Sequence, residues 1–113
     1  MNNNSKFKST FLLLLFLATL TSCLSNVDEE EVIDPCATIT YTLNVKPIID
    51  NNCVQCHGAG GNFPNLTTFN GTSASAAIVK DAVVTKRMPQ GGSLTNQEIQ
   101  AISCWVDGGA LNN

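Results

Sequence analysis

The five residues Cys53-Val54-Gln55-Cys56-His57 restrict the fold of this chain more than any other part of its sequence. They place two thiols one helical turn apart and an imidazole directly after the second thiol. This C-x-x-C-H pattern is typical of covalent haem attachment. Each thiol can add to a different vinyl group of one haem, and the adjacent imidazole can then reach the iron from one side. Covalent attachment would retain a haem in a protein that is too small to enclose it fully.

Two other chemistries use the same residue types, and the motif alone leaves them open. A thioredoxin-like dithiol is expected in a βαβ context, which the sequence does not show. A structural zinc site needs four ligands, so a fourth would have to come from Cys36 or Cys104. An export signal and a downstream methionine favour haem over both alternatives.

The first 22 residues have the order of a signal peptide. Lys6 and Lys8 form a basic start, and an apolar run follows over residues 11–20. That run is too short to span a bilayer but has the length of a signal-peptide core; a buried N-terminal helix is the alternative. The exit Leu20-Thr21-Ser22-Cys23 resembles a bacterial lipobox, in which the signal is cut before a cysteine that becomes acylated. We therefore expect a mature chain that begins at lipidated Cys23.

Charge is placed unevenly along the mature chain. Five acidic residues follow Cys23 closely: Asp28, Glu29, Glu30, Glu31 and Asp34. From Pro35 onward, four basic residues balance four acidic ones, so no basic excess indicates a nucleic-acid partner. The predicted organisation is a signal peptide over residues 1–22, a lipidated acidic tether over 23–35 and one small domain over 36–113.

Three helices are predicted in the domain. The first covers about residues 45–52, with Asn44 as its N-cap, and the second covers about 73–80 and extends towards residue 84. The third follows a Thr95–Glu98 capping box and ends at Gly108-Gly109. Only residues 38–43 alternate weakly like a strand, so the predicted fold class is all-α.

The second axial ligand of a haem iron can be argued by elimination. His57 is the only histidine of the chain, which excludes a second imidazole from the same chain. Once the signal is removed, Met88 is the only methionine. It lies in the segment Arg87-Met88-Pro89-Gln90-Gly91-Gly92, where Pro and Gly offer little core to fill. We therefore expect Met88 to ligate the iron, with core filling as the alternative.

Together, the C-x-x-C-H motif, the Met88-Pro89 loop and a capped C-terminal helix with Trp105 resemble class I c-type cytochromes, specifically small bacterial monohaem cytochrome c lipoproteins. The resemblance covers about residues 45–111. It implies a small cytochrome c-like domain of about three helices around one covalently bound haem c. In that family a proline carbonyl accepts the free N–H of the ligating histidine. Phe63-Pro64-Asn65-Leu66 resembles that segment, so Pro64 is the candidate, with a plain turn proline as the alternative.

The same resemblance bears on three further residues. Trp105 resembles the aromatic residue that packs where the first and last helices cross. Because the family packs those helices together and an exported protein meets an oxidising compartment, Cys36 and Cys104 are expected to form a disulfide. Two free buried thiols are the alternative.

These features predict a membrane-anchored carrier of single electrons rather than an enzyme, because His57 and Met88 together would leave no open iron position. The alternatives are a haem-binding subunit or accessory domain of a larger exported redox complex, and a ligand-binding haem site if Met88 is not on the iron. Redox partner proteins are expected, while the sequence does not fix the oligomeric state.

The sequence also indicates where the protein resides and how it meets a partner. Leu24, rather than an aspartate, follows Cys23, which resembles an outer-membrane lipoprotein facing the periplasm or the cell surface. Lys80, Lys86 and Arg87 cluster just before Met88 and predict a basic rim that steers an acidic partner.

Overall fold

The computed structural model describes residues 33–113. The predicted signal peptide, the lipidated Cys23 and most of the acidic tether lie outside the described residues. The described part contains one π-helical turn and four α-helices: the turn Tyr41–Val45, α1 Lys46–Asn52, α2 Phe69–Ala74, α3 Ala76–Val84 and α4 Asn96–Asp107. No β-strand occurs over 33–113, and the predicted all-α class is confirmed.

The first helical segment begins earlier than the sequence predicts. Thr40 is its N-cap, since its hydroxyl accepts the Leu43 N–H at 3.2 Å. Asn44, the predicted cap, instead lies inside the π-helical turn and accepts the Thr40 N–H at 2.8 Å through its side chain. The prediction of Asn44 as N-cap is therefore wrong, because both residues are short polar cap formers and the earlier one is used. The π-helical turn runs directly into α1. Pro47 lies at the start of that helix, where a residue without an N–H group is tolerated.

The predicted second helix is divided into two. Thr68 caps α2 by accepting the Gly71 N–H at 3.1 Å, and the helix ends at Ala74. Ser75 is buried with a ψ of 9°, outside the helical range, and it separates α2 from α3. The domain therefore holds one more helix than the sequence analysis anticipates.

The last helix agrees with its sequence signals. The Thr95 hydroxyl accepts the Glu98 N–H at 3.2 Å, and the Glu98 carboxylate accepts the Thr95 N–H at 2.7 Å. This is the predicted capping box, and Gly108 follows the last helical residue as expected. The helix buries Ile102 and Trp105 on the side that faces the rest of the domain.

One hydrophobic core connects the helices. Tyr41 lies between two aromatic side chains, with ring centroids 5.0 Å from Phe69 and 5.3 Å from Trp105. The Trp105 indole N–H donates to the Leu111 carbonyl at 2.8 Å, so its polar atom is satisfied. The predicted packing role of Trp105 is confirmed. The buried apolar residues are Tyr41, Val45, Ile48, Ile49, Leu66, Ala76, Val79, Val83, Ala101, Ile102 and Trp105.

The segment before the first turn and the C-terminal residues are both bonded to the helices. Cys36 and Cys104 form a disulfide with their Cα atoms 5.1 Å apart, which joins the segment before the first turn to α4. At the other end, the Asn113 side chain accepts the Tyr41 N–H at 2.8 Å. Within residues 33–113, every helix is too short or too polar to cross a membrane.

Candidate cofactor-binding site

The C-x-x-C-H motif forms one compact turn at the end of α1. The Cys53 N–H donates to the Ile49 carbonyl at 2.9 Å and so extends the hydrogen-bond pattern of the helix. The N–H groups of Cys56 and His57 then both donate to the Cys53 carbonyl, at 3.1 and 2.9 Å. The turn holds the two cysteines and the histidine on one short stretch of ordered backbone, in the sequence order that haem attachment requires.

The two thiols of the motif are unpaired, although only two residues separate them. Cys53 is half-buried and Cys56 is exposed. Burial raises the pKa of the Cys53 thiol above its ordinary value. A reactive dithiol works through a thiol of lowered pKa, so this environment does not favour a thioredoxin-like role.

The His57 ring is oriented by a carbonyl seven residues further along. Its Nδ1 lies 3.2 Å from the Pro64 carbonyl oxygen. A carbonyl can only accept, so Nδ1 is the donor in this hydrogen bond, and Nε2 is the ring nitrogen left to bind a metal. The Leu66 N–H donates to the His57 carbonyl at 2.7 Å and holds the same two segments together through the backbone. The half-buried imidazole is thereby fixed in the tautomer that a metal ligand needs.

A glycine-rich loop folds back tightly on the motif. The Asn62 N–H donates to the Cys56 carbonyl at 2.9 Å. A Cβ atom at position 61 would lie 2.5 Å from the Cys56 carbonyl oxygen. Only glycine therefore lets the backbone of the loop come this close to the motif. The loop therefore stays short and leaves Pro64 beside the imidazole.

The segment that follows Pro64 is held by a residue that the sequence analysis did not single out. Thr72 is fully buried, and its hydroxyl lies 3.2 Å from the Leu66 carbonyl and 3.0 Å from the Thr68 carbonyl. A Cβ on the neighbouring Gly71 would lie 2.1 Å from the Asn65 carbonyl oxygen. Gly71 and Thr72 directly precede the predicted second helix, and nothing in the sequence around them indicates the loop that they contact.

Met88 lies in the loop between α3 and α4. Its N–H donates to the Ala82 carbonyl at 3.1 Å, and the Arg87 N–H donates to the same carbonyl at 2.9 Å. These bonds fasten the start of the loop to the end of α3. The Met88 side chain is half-buried, as is that of Pro89.

Two of the three basic side chains before Met88 pair with carboxylates. Lys80 pairs with Asp107 of α4, and Arg87 pairs with Asp81 of α3. Lys86 adopts a left-handed backbone conformation, with a φ of 57°. Nearby carboxylates therefore balance the charge of two of the three residues of the predicted basic rim, and the rim itself stays a prediction.

The donor set of the site fits haem better than it fits zinc. Within residues 33–113, no three His, Cys, Asp or Glu side chains converge in a way that could hold a metal ion. The fourth ligand of a zinc site would have to be Cys36 or Cys104, and their disulfide occupies both. Two free thiols and an imidazole with its Nδ1 already engaged are the groups that would hold a haem at this turn.

A separate cavity of about 360 Å³ lies beside the disulfide. It is lined by residues of the segment before the first turn, by the end of α4 and by the C-terminal residues, among them Cys36, Ile39, Cys104 and Trp105. None of the predicted haem residues lines it. The cavity therefore belongs to the packing of the N-terminal segment and not to the cofactor site.

The comparisons with known proteins agree with the site. Residues 43–106 match the model of the family described as cytochrome c oxidase, cbb3-type, subunit III. The match covers more than half of the 113-residue chain and contains the C-x-x-C-H turn, Pro64 and Met88. No curated protein and no solved structure matches the chain significantly.

Proposed function

Because the chain belongs to the family of cytochrome c oxidase, cbb3-type, subunit III, we propose that this c-type cytochrome carries single electrons through one covalently bound haem c. Cys53 and Cys56 would hold the haem through two thioethers, and His57 and Met88 would bind its iron. The observation that carries the proposal is the turn at the end of α1, in which two unpaired thiols precede an imidazole whose Nδ1 is held by Pro64.

Different residues of the chain would have different roles in holding the cofactor. When bound, haem supplies an iron that gains or loses one electron. The thioethers keep the group attached to a domain that is too small to surround it. Pro64 holds the His57 ring in one orientation and makes it a more basic ligand through the Nδ1 hydrogen bond.

Met88 is proposed as the second axial ligand because no other suitable side chain is available. His57 is the only histidine, and Met1 belongs to the predicted signal peptide. A thioether ligand raises the reduction potential, which suits transfer to a high-potential acceptor. With both axial positions filled, the protein has no open site for a substrate, so we propose a carrier and not an enzyme.

A second candidate follows from the family description, which names a subunit of an oxidase. In that case the domain is a haem-binding subunit or accessory domain of a larger exported redox complex. The chemistry at Cys53–His57 is the same in both cases, and the difference lies in whether the domain stays bound to its partner. A ligand-binding haem site remains the alternative if Met88 is not on the iron.

The proposed location is the outer membrane, through a lipid on Cys23 and the acidic tether over residues 23–35. The supporting pattern is the basic start, the apolar run and the lipobox-like exit. The domain would then face the periplasm or the cell surface, where it meets redox partner proteins.

Haem retention tests the central proposal. The full chain, matured with haem-attachment machinery, should keep its haem through acid–acetone extraction. The double variant Cys53→Ala/Cys56→Ala should lose it. The matched control Cys36→Ala/Cys104→Ala also removes two cysteines, those of the disulfide, but should retain the haem. Haem that is extracted from the native protein would contradict covalent attachment.

A further inference from the structure

The loop that orients the His57 ring is itself held by a buried residue of α2. The Pro64 carbonyl oxygen lies 3.2 Å from the His57 Nδ1. Two residues further along, the Leu66 N–H donates to the His57 carbonyl at 2.7 Å. The Leu66 carbonyl lies 3.2 Å from the Thr72 hydroxyl, which donates to it. Of the two peptide groups that flank Leu66, one is thus bonded to the histidine and the other to α2.

The Leu66 carbonyl depends on the Thr72 hydroxyl for its hydrogen bond. Thr72 is fully buried, and Leu66 is buried as well. Within residues 33–113, no other N–H or O–H group donates to the Leu66 carbonyl. The hydroxyl also lies 3.0 Å from the Thr68 carbonyl, but the Thr72 N–H already donates to that oxygen at 3.0 Å. Loss of the hydroxyl would therefore leave the buried Leu66 carbonyl without a donor, which is costly.

Helix α2 is a firm support for this bond, because it is fastened to the rest of the domain at two other points. The Phe69 ring packs edge-on against Tyr41, with ring centroids 5.0 Å apart. The Ser73 hydroxyl donates to the Ala110 carbonyl at 3.1 Å and joins the helix to the C-terminal residues. Thr72 therefore carries its hydroxyl on a helix whose position is determined by the core.

We propose that Thr72 is a positioning residue for His57 and contributes to the reduction potential of the bound haem. Its hydroxyl holds the loop over residues 64–66, so that the Pro64 carbonyl stays within hydrogen-bond distance of Nδ1. This inference rests on the proposed electron-transfer function and adds a residue that acts on the axial ligand through Leu66 and Pro64. The Nδ1 hydrogen bond makes the imidazole a more basic ligand. A more basic ligand stabilises the more positively charged ferric iron, so a weaker bond raises the potential.

Three substitutions at position 72 separate the hydroxyl from the space that the side chain fills. Thr72→Val keeps the branched shape without the hydroxyl, Thr72→Ser keeps the hydroxyl without the methyl group, and Thr72→Ala lacks both. Redox titration of each holoprotein gives its potential, and urea unfolding gives its stability. We expect the potential to rise in Thr72→Val and Thr72→Ala. It should stay at the native value in Thr72→Ser, although the lost methyl group makes that variant less stable.

The hydrogen bond to the His57 ring can also be followed directly. In proton NMR spectra of the ferrous holoprotein, the resonance of the Nδ1 proton should move upfield in Thr72→Val, because a longer hydrogen bond deshields the proton less. Deuterium exchange of the Leu66 amide should speed up roughly tenfold relative to that of Ile102, a buried residue of α4 that reports opening of the whole domain. Thr72→Ser should leave both values native.

Ser103→Ala is the matched control, since the Ser103 hydroxyl donates to the Ile99 carbonyl at 2.8 Å within α4 and not to the loop over residues 64–66. Its potential should equal that of the native protein. The pair Thr72→Ser and Thr72→Ala differs only in the hydroxyl and decides the question if Thr72→Val does not accept haem.

Three outcomes would overturn the positioning role of Thr72. These are a native potential in the variants without the hydroxyl, an equal rise in Thr72→Ser, or an equal rise in Ser103→Ala. An equal rise in Thr72→Ser would assign the effect to the filling of the core. Loss of haem from the native protein on acid–acetone extraction would instead contradict the proposed function, and it is a different result from a haem-loaded variant with an unchanged potential.

Discussion

At the level of single residues, the C-x-x-C-H motif was predictable because its chemistry depends on local spacing. The partner of the His57 ring could be guessed only through a resemblance, and the structure brings Pro64 to 3.2 Å from Nδ1. The role of Thr72 was not predictable. Its buried hydroxyl bonds the Leu66 carbonyl across a loop, and nothing in a window of sequence shows that contact.

Met88 provides the first prediction at this scale. Met88→Ala should lower the reduction potential and let carbon monoxide bind the ferrous form, because the variant opens one axial position. Gln90→Ala is a control in the same loop that leaves the thioether in place. Absorption spectra with and without carbon monoxide, together with a redox titration, measure both effects. An unchanged spectrum and potential in Met88→Ala would mean that the side chain only packs.

The hydroxyl of Thr72 gives a second residue-level prediction. Thr72→Val keeps the shape of the side chain but removes the bonds to the Leu66 and Thr68 carbonyls. We expect the free energy of unfolding to fall by about 1–3 kcal/mol, since a buried acceptor loses its donor. Urea unfolding of the holoprotein measures it, with the exposed Thr42→Val as control. Equal stability of the two variants would show that the hydroxyl contributes nothing.

At the level of elements, the sequence predicted a helix correctly where its start and its end are marked by local residue patterns. The last helix combines a capping box, an apolar face and a terminal glycine, and the structure contains all three. The break between α2 and α3 has no such signal. Ser75 is buried where the two short helices meet, so tertiary packing determines the break and propensity does not. The start of the first segment was ambiguous because Thr40 and Asn44 are both good cap residues.

The cap of α4 can be tested directly. Thr95→Ala removes the acceptor for the Glu98 N–H and should lower the free energy of unfolding by about 1 kcal/mol. For a domain of this size, such a loss lowers the melting temperature by roughly 4–8 °C. Thermal unfolding followed at the haem absorption band gives the value. Gln97→Ala, an exposed change in the same first turn, should leave the midpoint nearly unchanged, and equal midpoints for both variants would exclude a capping contribution.

At the level of the whole molecule, the distribution of charge was the least predictable property. The sequence predicts a basic rim formed by Lys80, Lys86 and Arg87. Lys80 pairs with Asp107, which is 27 residues away and belongs to a different helix. Only the packing of α3 against α4 brings these two residues together, so counting basic residues along the chain does not show which charges are balanced.

The disulfide provides a prediction for the whole domain. The double variant Cys36→Ala/Cys104→Ala opens a loop of sequence separation 68. The chain-entropy argument gives an upper limit of about 4 kcal/mol for the loss of stability. We expect less, because covalent haem already restrains the unfolded chain. Urea unfolding of native and variant holoprotein, with the spectrum as a check on the cofactor, gives the difference. An unchanged midpoint would show that the bond adds nothing to the haem attachment.

The predicted lipid anchor on Cys23 also concerns the whole molecule, because it determines where the protein is found in the cell. Cys23→Ala should move the protein from the membrane fraction to the soluble fraction, since each buried methylene of an acyl chain contributes about 0.8 kcal/mol to membrane binding. Cys36→Ala, which removes a cysteine outside the lipobox, should leave the protein in the membrane. Immunoblots of separated fractions report both. A Cys23→Ala protein that remains in the membrane would place the anchor elsewhere.

The bond between Cys36 and Cys104 also has a mechanical consequence. A pull on the chain that precedes Cys36 meets a covalent link to α4 before it reaches the first turn. The tension then passes into the last helix, whose buried face includes Ile102 and Trp105. In a domain pulled at its N-terminus and held at its C-terminus, the load would therefore pass through the disulfide and the end of α4, and α1 and the cysteine turn would bear little of it.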